Sequence, residues 1–136
     1  MSTSKIIYKG NLRTEAVHLK SNAIIITDAP TDNKGKGEAF SPTDMVATAL
    51  GSCMLTIIGI KSEEHNIDIE NIKMNITKVM SAAPRKISEI IVEFDFLGKS
   101  YTNKEKIIIE KSAKSCPVAL SLDPELKQTV LFNFKD

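Results

Sequence analysis

Two cysteines are the residues of this chain best suited to chemistry. Cys53 lies inside an uncharged run, SPTDMVATALGSCMLTIIGI, and Cys116 lies at a sharp chain break, AKSCPVALSLDPEL. Thiols so far apart in sequence lack the short ligand spacing of a zinc site. They can act together only if the fold brings them close, and a redox pair is therefore our first hypothesis.

The two thiols differ in what would stabilise their charged forms. A thiol attacks a peroxide or a disulfide only as its thiolate. Cys53 lies well inside a predicted helix, beyond the reach of the helix dipole, and its apolar neighbours disfavour a charge. Cys116 precedes Pro117 and is predicted to cap a new helical turn, where the dipole favours a thiolate or leaving group, as in a resolving cysteine.

A nucleophilic Cys53 therefore needs a cation from elsewhere in the fold. The chain has only two arginines, Arg13 and Arg85, among its 18 basic residues. In a chain so rich in lysine, each arginine is a candidate for a role that needs fixed geometry. Arg13, in GNLRTEAVH near a strand start, is the better candidate.

Composition bounds the remaining function classes. The 136 residues fit one domain, 1–136, and 42% hydrophobic residues can form a core. A net charge of +1 with interspersed signs, and no tryptophan, argues against nucleic-acid binding. His18 and His65 stand in no metal-ligand pattern, so neither a metal nor another cofactor is expected.

The hydrophobic runs do not predict a membrane protein. The first residues, MSTSKIIYKG, lack the apolar core of a signal peptide. The uncharged stretch from Met45 to Ile60 is shorter than the roughly 20 residues that span a bilayer. We therefore expect a cytoplasmic protein without a membrane partner, whose cysteines are reduced or catalytic rather than joined in a structural disulfide.

The first half of the chain predicts three strands, a loop and a long helix. Alternation and turn residues place strands near 5–9, 15–20 and 23–27, before the polar loop DAPTDNKGKGEAF. Ser41, Pro42 and Asp44 form a strong helix start. The helix should run to about His65. It is apolar all round, with one face formed by Val46, Leu50, Cys53, Ile57 and Ile60, and we infer that a second subunit covers part of it.

Apolar and polar residues alternate again after the helix. Ile72–Thr77 and the run containing Ile90, Val92, Phe94 and Phe96 read as strands joined by a hairpin at 81–84. A second helix begins at Asn103 and ends at Cys116, and Val130–Phe134 forms the last strand. The order β-β-β-α-β-β-α-β predicts an α+β fold, with helices packed on antiparallel sheet.

These segments together resemble a known family. SPTDMVATALGSCM followed by AKSCPVALSL is similar to the OsmC/Ohr family of osmotically inducible and organic-hydroperoxide-resistance proteins. The resemblance covers nearly the whole chain. FSPTD before the helix and ALGSC within it resemble the less studied OsmC-like branch of the family.

The resemblance implies an intertwined homodimer with two active sites at the subunit interface. Family members reduce organic hydroperoxides to alcohols by thiol chemistry, without metal or haem. By position, Cys53 matches the peroxidatic cysteine, Cys116 the resolving cysteine and Arg13 the arginine that steadies the thiolate. The reductant would be a dithiol, which is lipoyl-linked in the better-known branch.

One position departs from the family pattern. The organic-hydroperoxide branch has a glutamate directly after the helix-start proline, where it orients the arginine. That position is Thr43 here, while Asp44 points about 100° away around the helix. Glu38, in the preceding loop, is the carboxylate expected to reach the arginine instead.

Two alternatives remain open at this stage. Cys53 can be an inert core cysteine, because free cysteines are commonly buried. The protein would then be a non-catalytic relative that binds a small hydrophobic ligand at the dimer interface, and the absent glutamate at Thr43 favours this reading. A thiol titration of Cys53 distinguishes the two.

Overall fold

The computed structural model describes residues 1–134 of the chain. They form two compact units, one from Met1 to Val46 and one from Ala47 onward. The chain passes from the first unit to the second inside its long helix.

The first unit is built on a three-stranded antiparallel sheet. Its strands are β1 (Ser4–Gly10), β2 (Arg13–His18) and β3 (Ile24–Asp28), in that spatial order. The three predicted strands are therefore confirmed, with bounds shifted by a few residues. Asn11 and Asn22 adopt the left-handed conformation in the two turns, φ 55° and 63°, which asparagine tolerates better than most residues.

Both faces of this sheet carry exposed apolar side chains. The register pairs Ile6 with Ala16 and Ala16 with Ile25, so these residues share one face. Ile7 and Ile26 are both paired with Glu15, so these two isoleucines share the other face. All four isoleucines are more than 40% exposed, as are Tyr8 and Ile24. A sheet that is apolar on both sides needs cover on both sides.

Helix α1 (Pro42–Glu64) begins at the predicted cap. The Ser41 hydroxyl accepts the amide of Asp44 at 3.0 Å, and the Asp44 carboxylate accepts the amide of Ser41 at 3.0 Å. This reciprocal pair satisfies two amides that the first helical turn leaves without partners. The predicted start at Ser41–Pro42 and the predicted end near His65 are both confirmed.

Only one side of α1 is buried within its own chain. The buried residues include Leu50, Met54 and Ile58, whereas Val46 and Ile60 of the predicted face remain 38% and 50% exposed. Among residues 1–134, α1 is the helix long and apolar enough to cross a membrane by length and composition alone. A core helix passes the same test, and Leu50, Met54 and Ile58 belong to the core of the second unit.

The second unit contains a sheet of β4 (Lys73–Ala82), β5 (Arg85–Asp95) and β6 (Lys127–Asn133). β4 and β5 form the predicted antiparallel hairpin. β6 pairs with β5 in parallel, with Ile90 opposite Gln128. The expectation of purely antiparallel pairing is thus wrong for this strand, because the helical segment after β5 carries the chain back to the start of β5 before β6 begins.

Two helices make this return. α2 (Asn103–Lys114) starts at a capping box formed by Thr102 and Glu105. α3 (Pro117–Ser121) is a separate short helix with Cys116 as its N-cap, as the Cys-Pro pair predicted. The observed order therefore adds α3 to the predicted one, and the α+β class is confirmed.

The site-bearing part of α1 packs closely on β4. A Cβ atom added at Gly51 would lie 2.5 Å from Cδ1 of Ile76 and 2.6 Å from Sδ of Met74. A side chain at this position would therefore require the Ile76 and Met74 side chains to move. Gly51 leaves room for these two side chains two residues before Cys53.

Ser62 in α1 offers a test of this core. It is 1% exposed, and its hydroxyl has no hydrogen-bond partner among residues 1–134. A buried hydroxyl without a partner is destabilising, so Ser62→Ala should raise the free energy of unfolding by about 1 kcal/mol in urea titrations. Ser112→Ala is the matched control, because that helical hydroxyl donates to the Ile108 carbonyl at 2.6 Å. A loss of stability in Ser62→Ala, equal to that in Ser112→Ala, would contradict the prediction.

Candidate active site

The two cysteine side chains meet in the second unit. Both are free thiols, and they lie close enough for Cys53 to influence the pKa of Cys116, although they come from α1 and from the N-cap of α3. Cys53 is half-buried, whereas Cys116 has no exposed surface. The fold therefore brings near each other the two sulfurs that the sequence separates.

Cys116 occupies a defined hydrogen-bonding position. Its backbone is extended, φ −63° and ψ 125°, and its sulfur accepts the Ala119 amide at 3.4 Å. Its thiol also lies 4.0 Å from the Leu50 carbonyl of α1, within reach of a weak S–H···O hydrogen bond. The thiol is thus held between a donor at the start of α3 and acceptors on α1.

The sequence around Cys116 dictates this geometry. Pro117 disfavours a helical backbone at the residue before it, so α2 cannot run through Cys116. The same proline suits the first position of a new helix, where its missing amide costs nothing. The Cys-Pro pair therefore ends one helix, starts the next and leaves the sulfur at the cap.

Burial raises the pKa of the Cys116 thiol, and the hydrogen bond with Cys53 raises it further. The amides of Ala119 and Val118 act in the opposite direction, because they favour the thiolate. Cys116 therefore keeps its proton near neutral pH and can donate it in the contact with Cys53.

The first unit holds a second polar cluster, centred on Arg13. Its Nε and Nη2 atoms donate to the two carboxylate oxygens of Asp28 at 2.7 and 2.8 Å. Arg13 and Asp28 stand directly opposite each other on β2 and β3, so the strand register creates the pair. The Asp28 side chain is 1% exposed and also accepts the amide of Glu38 at 3.1 Å. This buried carboxylate fixes the guanidinium plane from one side.

Glu38 makes a weaker contact with the same arginine. Its Oε1 lies 3.4 Å from Arg13 Nη2, and its side chain is 64% exposed. The loop before it is tightly folded, since a Cβ on Gly35 would lie 1.7 Å from the Ala29 carbonyl oxygen. Only glycine fits there, and this fold of the loop brings Glu38 back to the end of β3.

The ion pair with Arg13 lowers the pKa of Asp28, chiefly through the hydrogen bond from the guanidinium and against the opposing effect of burial. The same hydrogen bond raises the pKa of Arg13, which stays charged at every relevant pH.

The structure thus brings together Cys53 with Cys116 and, separately, Arg13 with Glu38. The catalytic roles of these four residues remain predictions. Asp28 was not among the residues selected from the sequence, because its importance depends on the register between β2 and β3. Its only sequence signal is a carboxylate at the end of an apolar strand.

The carboxylate of Asp44 takes part in the start of α1. It caps α1 through the Ser41 amide, and the Thr43 hydroxyl lies 3.2 Å from that of Ser41. Both residues after Pro42 therefore contribute to the helix start.

The ion pair predicts a pH-dependent stability. The pKa of Asp28 lies below its ordinary value of 3.8 in the folded chain, so its contribution is present above that pH and is lost as the pH falls through the lower folded value. Asp28→Asn should therefore melt at a lower temperature than the wild type at pH 7, with the gap closing in acid. Glu38→Gln is the control and should change the melting temperature little. An equal gap for Asp28→Asn at all pH values would contradict the prediction.

Comparison with known proteins places this arrangement in a family. The family model described as OsmC-like protein matches residues 35–130, a span that includes both cysteines. No curated protein matches the sequence.

Solved structures agree with the family match. A Psychrobacter arcticus protein, named for an osmotic stress induced and detoxification response, is 52% identical, with a TM-score of 0.90 over 98% of this chain and 96% of that one. An organic hydroperoxide resistance protein OsmC of Legionella pneumophila, also named a predicted redox protein, shares the fold at 14% identity, with a TM-score of 0.72 over 98% of both chains. A Vibrio cholerae protein named for organic hydroperoxide resistance, with captopril bound in one of its active sites, gives a TM-score of 0.73 at 11% identity, over 98% of this chain and 92% of that one.

The last two likenesses concern the fold alone. The family match covers more than half the chain, and the 52% identity extends over nearly its full length. These two findings compare sequences as well as folds, so they show family membership. With its capped α1, its thiol pair and its two sheets, this chain belongs to the OsmC-like protein family.

Proposed function

We propose that this protein is a thiol-dependent peroxidase that reduces organic hydroperoxides to alcohols. The observation that carries the proposal is the pair of free thiols, Cys53 and Cys116, which the fold brings near each other from distant parts of the chain. The names of fold relatives, which refer to organic hydroperoxide resistance and redox activity, support the same reaction class.

Cys53 is the attacking thiol in this proposal. It is the more exposed of the two, so a peroxide reaches it first. Cys116 keeps its proton because burial raises its pKa, and it can donate a hydrogen bond to a Cys53 thiolate. The Cys53 sulfur attacks the terminal oxygen and breaks the O–O bond. The sulfur becomes a sulfenic acid, and the departing alkoxide takes up a proton to leave as the alcohol.

Cys116 completes the cycle in a second step. Its sulfur attacks the sulfenic sulfur, a disulfide forms, and the sulfenic oxygen leaves as water with the proton of Cys116. The Ala119 and Val118 amides assist, since they stabilise negative charge on Cys116 as its proton departs. A dithiol reductant then restores both thiols by exchange through a mixed disulfide.

Arg13 supplies the positive charge that steadies the Cys53 thiolate. Asp28 and Glu38 occupy its Nε and Nη2 atoms, while Nη1 has no hydrogen-bond partner in the described part of the chain. A guanidinium held rigidly on one edge leaves the other edge preorganised for an anion. Glu38 assists by holding the arginine from its exposed side.

The active protein is a homodimer in this proposal. The first-unit sheet exposes Ile6 and Ile25 on one face and Ile7 and Ile26 on the other. Val46 and Ile60 of α1 are also exposed apolar side chains. A second copy of the chain can cover these surfaces, whereas a monomer would expose them to water.

Ligand binding without turnover is the second candidate function. A cleft of about 490 Å³ in the second unit, lined by Met54, Val130 and Phe132 among others, favours it. A cleft of this size can hold a small apolar molecule. The experiment with the cysteine variants separates it from the peroxidase.

Single-turnover assays with cumene hydroperoxide test the reaction. We expect Cys53→Ser to abolish peroxide consumption, because the attacking sulfur is gone. Cys116→Ser should consume one equivalent and then accumulate a sulfenic acid at Cys53, detectable by dimedone adduct and mass spectrometry. The wild type should form a Cys53–Cys116 disulfide instead. Unchanged consumption by Cys53→Ser would refute the peroxidase and leave ligand binding as the better account.

Sedimentation equilibrium tests the assembly. The wild type should behave as a particle of about 30 kDa, twice the 15.0 kDa of the chain. Ile25→Glu should weaken this dimer, because it places a charge in a desolvated apolar contact. Lys20→Glu, in the turn after β2, is the control and should remain dimeric. A monomeric wild type at micromolar concentration would contradict the prediction.

A further inference from the structure

Helix α3 is weakly anchored for an element that carries a reactive residue. It has five residues, none of them buried, and Leu120 is 75% exposed. Its N-cap, Cys116, is nevertheless fully buried. So short a helix gains little stability from its own hydrogen bonds, and contacts from outside must hold its conformation.

Gln128 on β6 supplies such a contact. Its side-chain Nε2 donates to the Ala119 carbonyl at 3.0 Å. The backbone of Gln128 is fixed in turn, because β6 pairs with β5 at this point, with Gln128 opposite the buried Ile90. The hydrogen bond therefore ties the first turn of α3 to β6, and β6 is held in turn by the central strand β5.

Ala119 lies at the junction of two hydrogen bonds. Its carbonyl accepts from Gln128, and its amide donates to the Cys116 sulfur at 3.4 Å. The chain of contacts thus runs from the sheet through Gln128 and Ala119 to the sulfur. Movement of the α3 turn away from β6 would carry the Ala119 amide away from Cys116.

We propose that Gln128 is a positioning residue for Cys116, which holds the α3 turn so that the Ala119 amide faces the sulfur during resolution. This inference rests on the proposed peroxidase function. The resolving step transfers the Cys116 proton away and needs a donor in place at that moment. A neutral amide side chain suits this task, since it binds the carbonyl without adding a charge beside the thiols.

The test uses Gln128→Met, which keeps an unbranched side chain of similar length but removes the donor. After one equivalent of cumene hydroperoxide, rapid quenching and mass spectrometry follow the sulfenic acid and the disulfide separately. We expect disulfide formation to slow about fivefold, the factor that corresponds to one lost hydrogen bond. The rate of sulfenic acid formation at Cys53 should stay the same.

The control is Lys127→Met, one residue earlier on β6, whose side chain is 73% exposed. It should leave both rates unchanged. Gln128→Glu provides a second variant of the same shape, whose ionised carboxylate cannot donate at neutral pH. It should slow disulfide formation as well. This variant measures the loss of the hydrogen bond to Ala119 even if Gln128→Met fails to fold.

A titration separates failure of this inference from failure of the proposed function. In the Cys53→Ser background, the ultraviolet absorbance of the thiolate, after subtraction of the same titration of a Cys53→Ser/Cys116→Ser double variant to remove the tyrosinate signal, reports Cys116 alone. Gln128→Met should shift this titration to higher pH, because the thiolate loses its amide donor. If the wild type forms no sulfenic acid, the peroxidase is wrong, yet this shift still tests the role of Gln128. If Gln128→Met changes neither the pH at which Cys116 titrates nor the rate of disulfide formation, the inference is overturned.

Discussion

The proximity of the Cys53 and Cys116 thiols is the constraint on which the proposed chemistry depends. It joins the middle of α1 to the start of α3, two elements separated by the β4–β5 hairpin and α2. At Gly51, two residues before Cys53, the missing side chain leaves room for the Ile76 and Met74 side chains of β4. At the other thiol, Pro117 ends the helical path of α2 and makes Cys116 the cap of α3.

The two thiols are chemically unequal because their surroundings differ. Full burial disfavours a charge on Cys116, whereas Cys53 is only half-buried. The amides at the start of α3 oppose the effect of burial on the pKa of Cys116, because they stabilise the thiolate. In the proposed mechanism, they matter when Cys116 gives up its proton. In the proposed mechanism, these differences suit Cys53 to attack and Cys116 to resolve.

Much of the fold was predictable because its signals are local. Alternation gave the strands, the Ser41–Pro42–Asp44 start gave α1, and the Cys-Pro pair gave the cap at Cys116. The buried side of α1 was not predictable, since a helix that is apolar all round carries no information about which side faces its own chain. The parallel pairing of β6 and the partnership of Arg13 with Asp28 depend on strand register, which no local pattern encodes.

The departure at Thr43 has a structural counterpart in Asp28. The family pattern expects a glutamate after the helix-start proline to orient the arginine, but in this chain Thr43 and Asp44 serve the α1 cap. Asp28 binds Arg13 through two hydrogen bonds from the neighbouring strand and is itself buried. This cross-strand carboxylate fixes the plane of the guanidinium through two hydrogen bonds, and the strand register fixes the carboxylate. The loss of the glutamate is therefore no argument against an oriented arginine, and Glu38 is left as a second, exposed and more adaptable contact.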